Sequence, residues 1–265
     1  MRVKPKKQLG QNFLFDKNIQ KKIVDALELK PTDTVLEIGA GYGQITRLIA
    51  GKADSVYAVE VDKRLSEILK EEFKGYPNIK LLCEDILGLD LGKILPKKGA
   101  KVKVFGNIPY YITTPIITRL FGYRKNLEAI FIMVQKEFAR RICAVPGSKD
   151  YGAFSCFVQY YGQPKIIFFI KKGAFRPSPK VDSAFIKVNV LRRPPVKLNN
   201  EGLFFKVIRA SFNQRRKILK NSLQEIIAPR ELEVFFSRYH INPNIRPESL
   251  SLQDFAKLAN LLEKT

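Results

Sequence analysis

Histidine is almost missing from this sequence: His240 is the only one in 265 residues. A Ser-His-Asp triad or a multi-histidine metal centre therefore has no material to be built from. Cysteine is scarce and odd in number. Cys83, Cys143 and Cys156 stand far apart in apolar surroundings, without the C-x-x-C spacing of a zinc or redox site. They are expected to be reduced core residues, and no metal is expected. Long apolar runs are lacking too. Residues 129–134 and 166–170 are strand-sized and far too short for a membrane span. The basic start, Met1 to Lys7, leads into no apolar stretch of secretory length. These absences point to a cytoplasmic protein with no membrane association, and nothing in the sequence demands more than a monomer. Acidic residues are also in short supply, 25 against 47 Lys and Arg, for a net charge of +22. That imbalance points to a polyanionic partner.

What is present alternates regularly. Thr34–Ile38 reads as a short buried strand, and Gly39-Ala40-Gly41-Tyr42-Gly43 follows at once. Residues 43–51 then have helical spacing. Further strands are expected at 55–60, 79–83, 102–106 and 127–134, with helices at 17–29, 63–74, 114–121, 135–144 and 152–161. Residues 166–170 and 184–190 read as a closing strand pair. This pattern predicts an α/β fold: a mostly parallel twisted sheet with helices on both faces. After the linker Arg192-Arg193-Pro194-Pro195 the pattern is wholly helical, with helices expected at 203–223, 230–239 and 251–263. The expected division is an α/β domain over 1–193 and a small all-α domain over 194–265.

Strand, glycine loop and helix open a nucleotide-binding domain. The spacing here is G-x-G-x-G, not the G-x-G-x-x-G of a dinucleotide site, and Glu37 ends the strand beside the loop. A carboxylate there would repel a pyrophosphate but suits the sulfonium and ammonium of S-adenosylmethionine. Glu60, about 20 residues past the loop, stands where such folds place the acid that holds ribose hydroxyls. Asp85 ends the third strand and could accept from the adenine amino group of the donor, with Ile86 lining the ring. Asn107-Ile108-Pro109-Tyr110 ends the 102–106 strand. An Asn side-chain oxygen, a carbonyl on a residue without an N–H, and an aromatic face together suit a planar base with an exocyclic amine. The plainer alternative is an Asn-x-Pro turn.

Basic residues are concentrated. From Arg192 to Lys220 there are nine, Arg192, Arg193, Lys197, Lys206, Arg209, Arg215, Arg216, Lys217 and Lys220, against Glu201 alone. Beyond Lys220 the balance is five basic to six acidic. Contact with RNA or DNA is expected through Arg192, Arg193, Arg209, Arg215, Arg216, Lys217 and Lys220.

With these motifs in place, the sequence resembles the ribosomal RNA adenine N6-dimethyltransferases, and within them the bacterial branch acting on small-subunit (16S) rRNA. The resemblance is carried by Gln11-Asn12-Phe13-Leu14, by Glu37 to Gly43, by Glu60, Asp85 and Asn107 to Tyr110, and by Ala174 to Ser183. In the helical region it is carried by Phe212-Asn213-Gln214-Arg215-Arg216-Lys217 and Arg246 to Leu252. It implies a Rossmann-like class I methyltransferase fold with a methyl-donor site of Gln11, Asn12, Leu14, Glu37, Gly39, Gly41, Glu60, Asp85, Ile86 and Asn107, and S-adenosyl-L-methionine as cofactor. It implies that Asn107 and Pro109 hold the adenine N6 amine, and that Tyr110 and Phe175 sandwich the base. The implied partner is small-subunit rRNA, within an immature small ribosomal subunit. Three other readings share parts of the pattern: a large-subunit rRNA adenine methyltransferase of the antibiotic-resistance type, a non-catalytic RNA-binding assembly or transcription factor, and a DNA adenine methyltransferase. The last more often carries Asp-Pro-Pro-Tyr at this station.

Overall fold

The computed structural model describes residues 3–6, 9–95, 101–214 and 217–263. Strand β1 (Phe13–Leu14) precedes helix α1 (Lys17–Ala26). Strand–helix steps follow: β2 (Thr34–Ile38) and α2 (Gln44–Ala50), β3 (Ser55–Val59) and α3 (Lys63–Glu72), β4 (Ile79–Leu82) and the single turn α4 (Leu91–Ile94), β5 (Val102–Gly106) and α5 (Thr113–Gly122). Next come β6 (Leu127–Gln135), α6 (Lys136–Ile142), α7 (Ala153–Tyr161), β7 (Gly162–Ile170), β8 (Phe175–Arg176) and β9 (Ser183–Val190). The rest is helical: α8 (Glu201–Asn213), α9 (Leu219–Leu223), α10 (Pro229–Arg238) and α11 (Leu252–Leu262).

The main sheet has the order β4-β3-β2-β5-β6-β9-β7. Strands β4 to β6 run parallel, and β9 is antiparallel to β6. In β2, consecutive residues Val35, Leu36, Glu37 and Ile38 are all at most 3% exposed. Alternate side chains of a strand point to opposite faces, so both faces of the sheet are covered. One face packs Val35, Val56, Phe105, Phe131 and Phe185 against Ile23 and Val24 of α1 and Ile45 and Ile49 of α2. Helix α1 starts where Asp16 accepts the N–H groups of Asn18 and Ile19, at 2.9 and 3.1 Å.

Two corrections to the expected organisation follow. The chain forms two compact units, one of residues 1–139 and 163–192, the other of 140–162 and 193–265. One division falls between 192 and 193, and residues 140–162, expected in the first domain, group with the C-terminal helices. The reason is packing. Tyr160 and Tyr161 both donate to Glu201 at the start of α8, the Phe157 and Phe205 rings lie 5.6 Å apart, and Gln159 donates to the carbonyls of Ile142 and Ala144. The expected helix 203–223 is also interrupted. Helix α8 ends at Asn213, and Ile218 is extended (φ −66°, ψ 157°), so that Leu219 N–H reaches the carbonyl of Ile245 at 2.8 Å. A tertiary hydrogen bond overrides the local helical periodicity. The two-stranded ribbon β1–β8, pairing Leu14 with Phe175, was not among the expected elements. Among the described residues no helix is long and apolar enough to cross a membrane.

Glu37, on the central strand β2, is 1% exposed, with Oε2 left without a hydrogen-bond partner among the described residues. Burial pushes its carboxyl up to about 8, nearby Thr46 offsets part of this, and Glu60 adds to it. Because the folded value lies above the ordinary 4.5, the folded chain holds this proton more tightly than the unfolded chain. The contribution to stability is full below pH 4.5 and is lost as pH rises through 8, by at most about 1.4 kcal/mol per pH unit. Glu37→Gln carries no titrating proton, so its urea midpoint should match wild type near pH 5 and exceed it by pH 8. Parallel midpoint-against-pH curves for the two proteins would exclude a buried titrating Glu37.

Candidate active site

Three strands of the parallel sheet end level with one another. Ile38 pairs with Val59 on one side and with Gly106 on the other. The residues that follow these ends are therefore brought to one edge of the sheet, the position at which open α/β sheets bind ligands. A cavity of about 1090 Å³, counted with its open mouth, occupies that edge. Gln11, Asn12, Leu14, Glu37, Gly39, Gly41, Glu60, Asp85, Ile86, Asn107, Pro109 and Tyr110 all line it. Of the residues expected at the donor and base sites, only Phe175 does not.

The glycine loop is shaped by close approach. Gly39 has φ +81°, and a Cβ on it would sit 3.4 Å from the Asn107 carbonyl. Gly43 has φ +68°, and a Cβ there would lie 2.7 Å from the Phe73 ring. Neither position takes a side chain without strain. The loop N–H of Gly41 donates to Glu60 Oε2 at 2.9 Å, and the N–H of Asp62 donates to Glu60 Oε1 at 2.9 Å. Burial raises the Glu60 carboxyl above its ordinary value, and these two N–H bonds pull it back down. Each oxygen keeps a further lone pair for a hydroxyl donor. Asp85 accepts the N–H of Leu87 through Oδ1, which fixes the carboxylate on its turn, while Ile86 is buried beside it.

Asn107 Nδ2 donates to the Asn12 carbonyl at 3.1 Å. Only the amide nitrogen can face a carbonyl, so the orientation of this amide is fixed and Oδ1 is the end left to accept. Asn12 in turn donates through Nδ2 to the Gly10 carbonyl at 3.1 Å. The Pro109 carbonyl accepts Ile112 N–H at 3.2 Å, leaving one lone pair. The Tyr110 hydroxyl and the fully buried Ser183 hydroxyl share a 2.6 Å hydrogen bond, which fixes the ring. Burial raises the Tyr110 phenol above its ordinary value, so it stays protonated at neutral pH. Ser183 closes the Ala174 to Ser183 motif, but a serine at the start of a strand gives no sign of a bond to Tyr110.

Phe175 lies apart from the cavity lining. Its ring is 2% exposed and belongs to the main hydrophobic core, on β8 opposite Leu14. The β1–β8 pairing turns it inward, so it is not a wall of the cavity. Gln11 lines the cavity with both ends of its amide engaged: Oε1 accepts Lys6 N–H at 2.8 Å and Nε2 donates to Asp62 at 3.2 Å. Cys83, expected in the core, is exposed just past the end of β4, while Cys156 is buried.

The arrangement fits an adenosine-bearing cation. Glu37, Glu60 and Asp85 give the cavity three carboxyls, the unpartnered Oε2 of Glu37 among them. The glycine loop leaves room for close backbone approach. In the helical unit, Arg193, Arg209 and Lys217 are exposed, and Lys220 pairs with Glu233 at 3.7 Å. Arg192 is exposed at the end of the first unit. Arg215 and Arg216 lie outside the described residues.

Residues 2–264 match the family profile described as ribosomal RNA adenine dimethylase. A "Ribosomal RNA small subunit methyltransferase A" of Alkaliphilus oremlandii is 44% identical over 97% of this chain and 92% of its own. A protein of the same name from Caldanaerobacter subterraneus is 43% identical over 98% of each chain. Among solved structures, the 23S rRNA methyltransferase ErmE superposes with a TM-score of 0.74 at 25% identity, covering 95% of this chain and all of that one. A dimethyladenosine transferase from Plasmodium falciparum gives a TM-score of 0.79 at 24% identity, over 93% of this chain and 95% of its own, a likeness of fold. A profile match along almost the whole chain, over a cavity whose glycine loop and Asn-Ile-Pro-Tyr turn meet at one sheet edge, leaves one conclusion: this chain belongs to the ribosomal RNA adenine dimethylase family.

Proposed function

We propose that this protein transfers methyl groups from S-adenosylmethionine to the N6 amines of two adjacent adenines in a hairpin near the 3′ end of small-subunit rRNA. The product is N6,N6-dimethyladenosine, and the substrate particle is an immature small ribosomal subunit in the cytoplasm. The observation that carries this reading is the fixed amide of Asn107, whose Nδ2 is spent on Asn12 and whose Oδ1 is left as an acceptor at the cavity. Small-subunit rather than large-subunit RNA is favoured by the relatives: 44% identity to a small-subunit enzyme against 25% to the 23S enzyme.

Glu60 would hold the ribose hydroxyls of the donor, Asp85 its adenine amine, and the glycine loop its methionine part. When bound, the donor supplies a methyl group already made electrophilic by its sulfonium. The chain's own work is then positioning. Asn107 Oδ1 and the Pro109 carbonyl accept the two N6 hydrogens, which turns the nitrogen lone pair toward the donor. Tyr110, its ring held by Ser183, gives the base a stacking face. The sole histidine, His240, does not line the cavity, and the Tyr110 phenol is held protonated, so neither serves as a general base. Alignment of donor and acceptor is the source of rate that this geometry provides.

Labelled methyl transfer to unmodified small subunits, large subunits and their naked RNAs tests the reading, with the modified nucleoside identified. Dimethyladenosine formed only on small-subunit substrate is the expected result; label on large-subunit RNA would overturn the substrate assignment. Asn107→Ala should lower turnover by about 100-fold or more, the order seen when one oriented polar contact to the reacting group is lost. Because Nδ2 also holds Asn12, a smaller weakening of product-nucleoside binding should accompany it. Turnover near wild type would exclude the role given to Asn107. Arg209→Glu with Lys217→Glu should weaken RNA-particle binding and reduce its salt dependence by about two counterions, leaving donor affinity unchanged. Unaltered particle affinity would place the RNA face elsewhere.

A further inference from the structure

Beyond the groups that face the donor, one carboxylate gathers more donors than its local role needs. Asp62 caps α3, for which a single bond from Arg64 N–H at 3.2 Å suffices. The same carboxylate takes Arg64 Nε at 3.0 Å and Nη2 at 2.7 Å, Gln11 Nε2 at 3.2 Å and Lys6 Nζ at 3.4 Å. Its side chain is wholly buried although Lys6 and Arg64 are about half exposed, so these partners cover it. Hydrogen bonds from Arg64, from Gln11 and from the helix start hold the carboxyl far below the ordinary carboxylate range.

The partners are not random surface groups. Lys6 and Gln11 are joined directly, Lys6 N–H donating to Gln11 Oε1 at 2.8 Å. Val3 and Lys4 are tied down as well: Tyr42 of the glycine loop donates to the Val3 carbonyl at 2.8 Å, and Arg64 Nη2 to the Lys4 carbonyl at 3.4 Å. Leu9 to Leu14 form a wall of the cavity, and the Asn12 carbonyl within it fixes Asn107. Meanwhile the backbone N–H of Asp62 aims Glu60.

We propose that Asp62 is a positioning residue for donor binding: its carboxylate clasps the N-terminal segment across the cavity edge and sets how long donor and product stay bound. The inference rests on the donor-site reading given above and adds to it a carboxylate that does not itself line the cavity but holds Gln11, which does. Loosening the clasp leaves the backbone bonds to Glu60 in place. Its loss should therefore show in residence time rather than in the chemical step.

The test compares S-adenosylhomocysteine binding and dissociation for wild type and Asp62→Asn, which keeps shape and removes the charge. Dissociation should accelerate by about tenfold, with little change in association. Turnover at saturating donor should stay near the wild-type value, so that KM for the donor carries the effect. Bound S-adenosylhomocysteine should shield Lys6 from trypsin in wild type and much less in the variant. Lys6→Ala, a milder change on the exposed side of the clasp, should shift dissociation in the same direction and decides the matter if Asp62→Asn unfolds. Equal dissociation rates in a wild type that binds the nucleoside would overturn the clasp and leave the donor site standing. A wild type that does not bind S-adenosylhomocysteine would overturn both.

Discussion

The level ending of three parallel strands is the constraint on which the site depends. Because Ile38 is in register with both Val59 and Gly106, the chain leaves β2, β3 and β5 at one height. Gly39, Glu60 and Asn107 are the residues just beyond those ends, and none of them could be reached from another by local structure. A slip of β5 by one residue would reverse which face each side chain takes. It would carry Asn107 away from the Asn12 carbonyl and leave the glycine loop facing a different strand end. The fully buried residues of both sheet faces thus fix register first and chemistry second.

Charge is divided between two tasks. The chain as a whole is strongly basic, yet the cavity is lined by Glu37, Glu60, Glu84 and Asp85. A uniformly basic surface would attract RNA and repel a cationic donor. Gathering carboxyls at the strand ends, Glu37 and Glu60 buried and Glu84 and Asp85 exposed, separates the two attractions. Burial has a cost, seen in the raised carboxyls of Glu37 and Glu60, and backbone N–H groups offset it only for Glu60. Lys103 shows the same economy away from the site, buried with its ammonium on Asp33 at 2.9 Å and on the Glu28 carbonyl at 2.7 Å.

Much of this was legible in the sequence because it is local. A five-residue apolar strand followed by glycines, or by Asn-Ile-Pro-Tyr, announces both the element and the group it presents. What was not legible depends on distant partners. Phe175 resembles a stacking residue by its motif, and only the pairing of β8 with β1 shows that its ring enters the core. Residues 140–162 look like another step of the α/β alternation until Tyr160 and Tyr161 meet Glu201. Ser183 and Asp62 are unremarkable as letters. One matters through a phenol 73 residues away, the other through an amide 51 residues away.

The orientation of the Asn107 amide carries an arithmetic of its own. On the proposed reading, the pocket offers an amine two acceptors, the side-chain oxygen of Asn107 and the carbonyl of Pro109, and no donor. An unmodified adenine brings a hydrogen for each; after one transfer it brings one, and after two it brings none. Each turnover thus strips the substrate of a handle by which the pocket held it. The finished base then leaves the Asn107 oxygen and the second lone pair of the Pro109 carbonyl facing a methylated nitrogen that cannot satisfy them, which is unfavourable. Reaction would stop at two methyl groups for want of hydrogen, and the same deficit would eject the product.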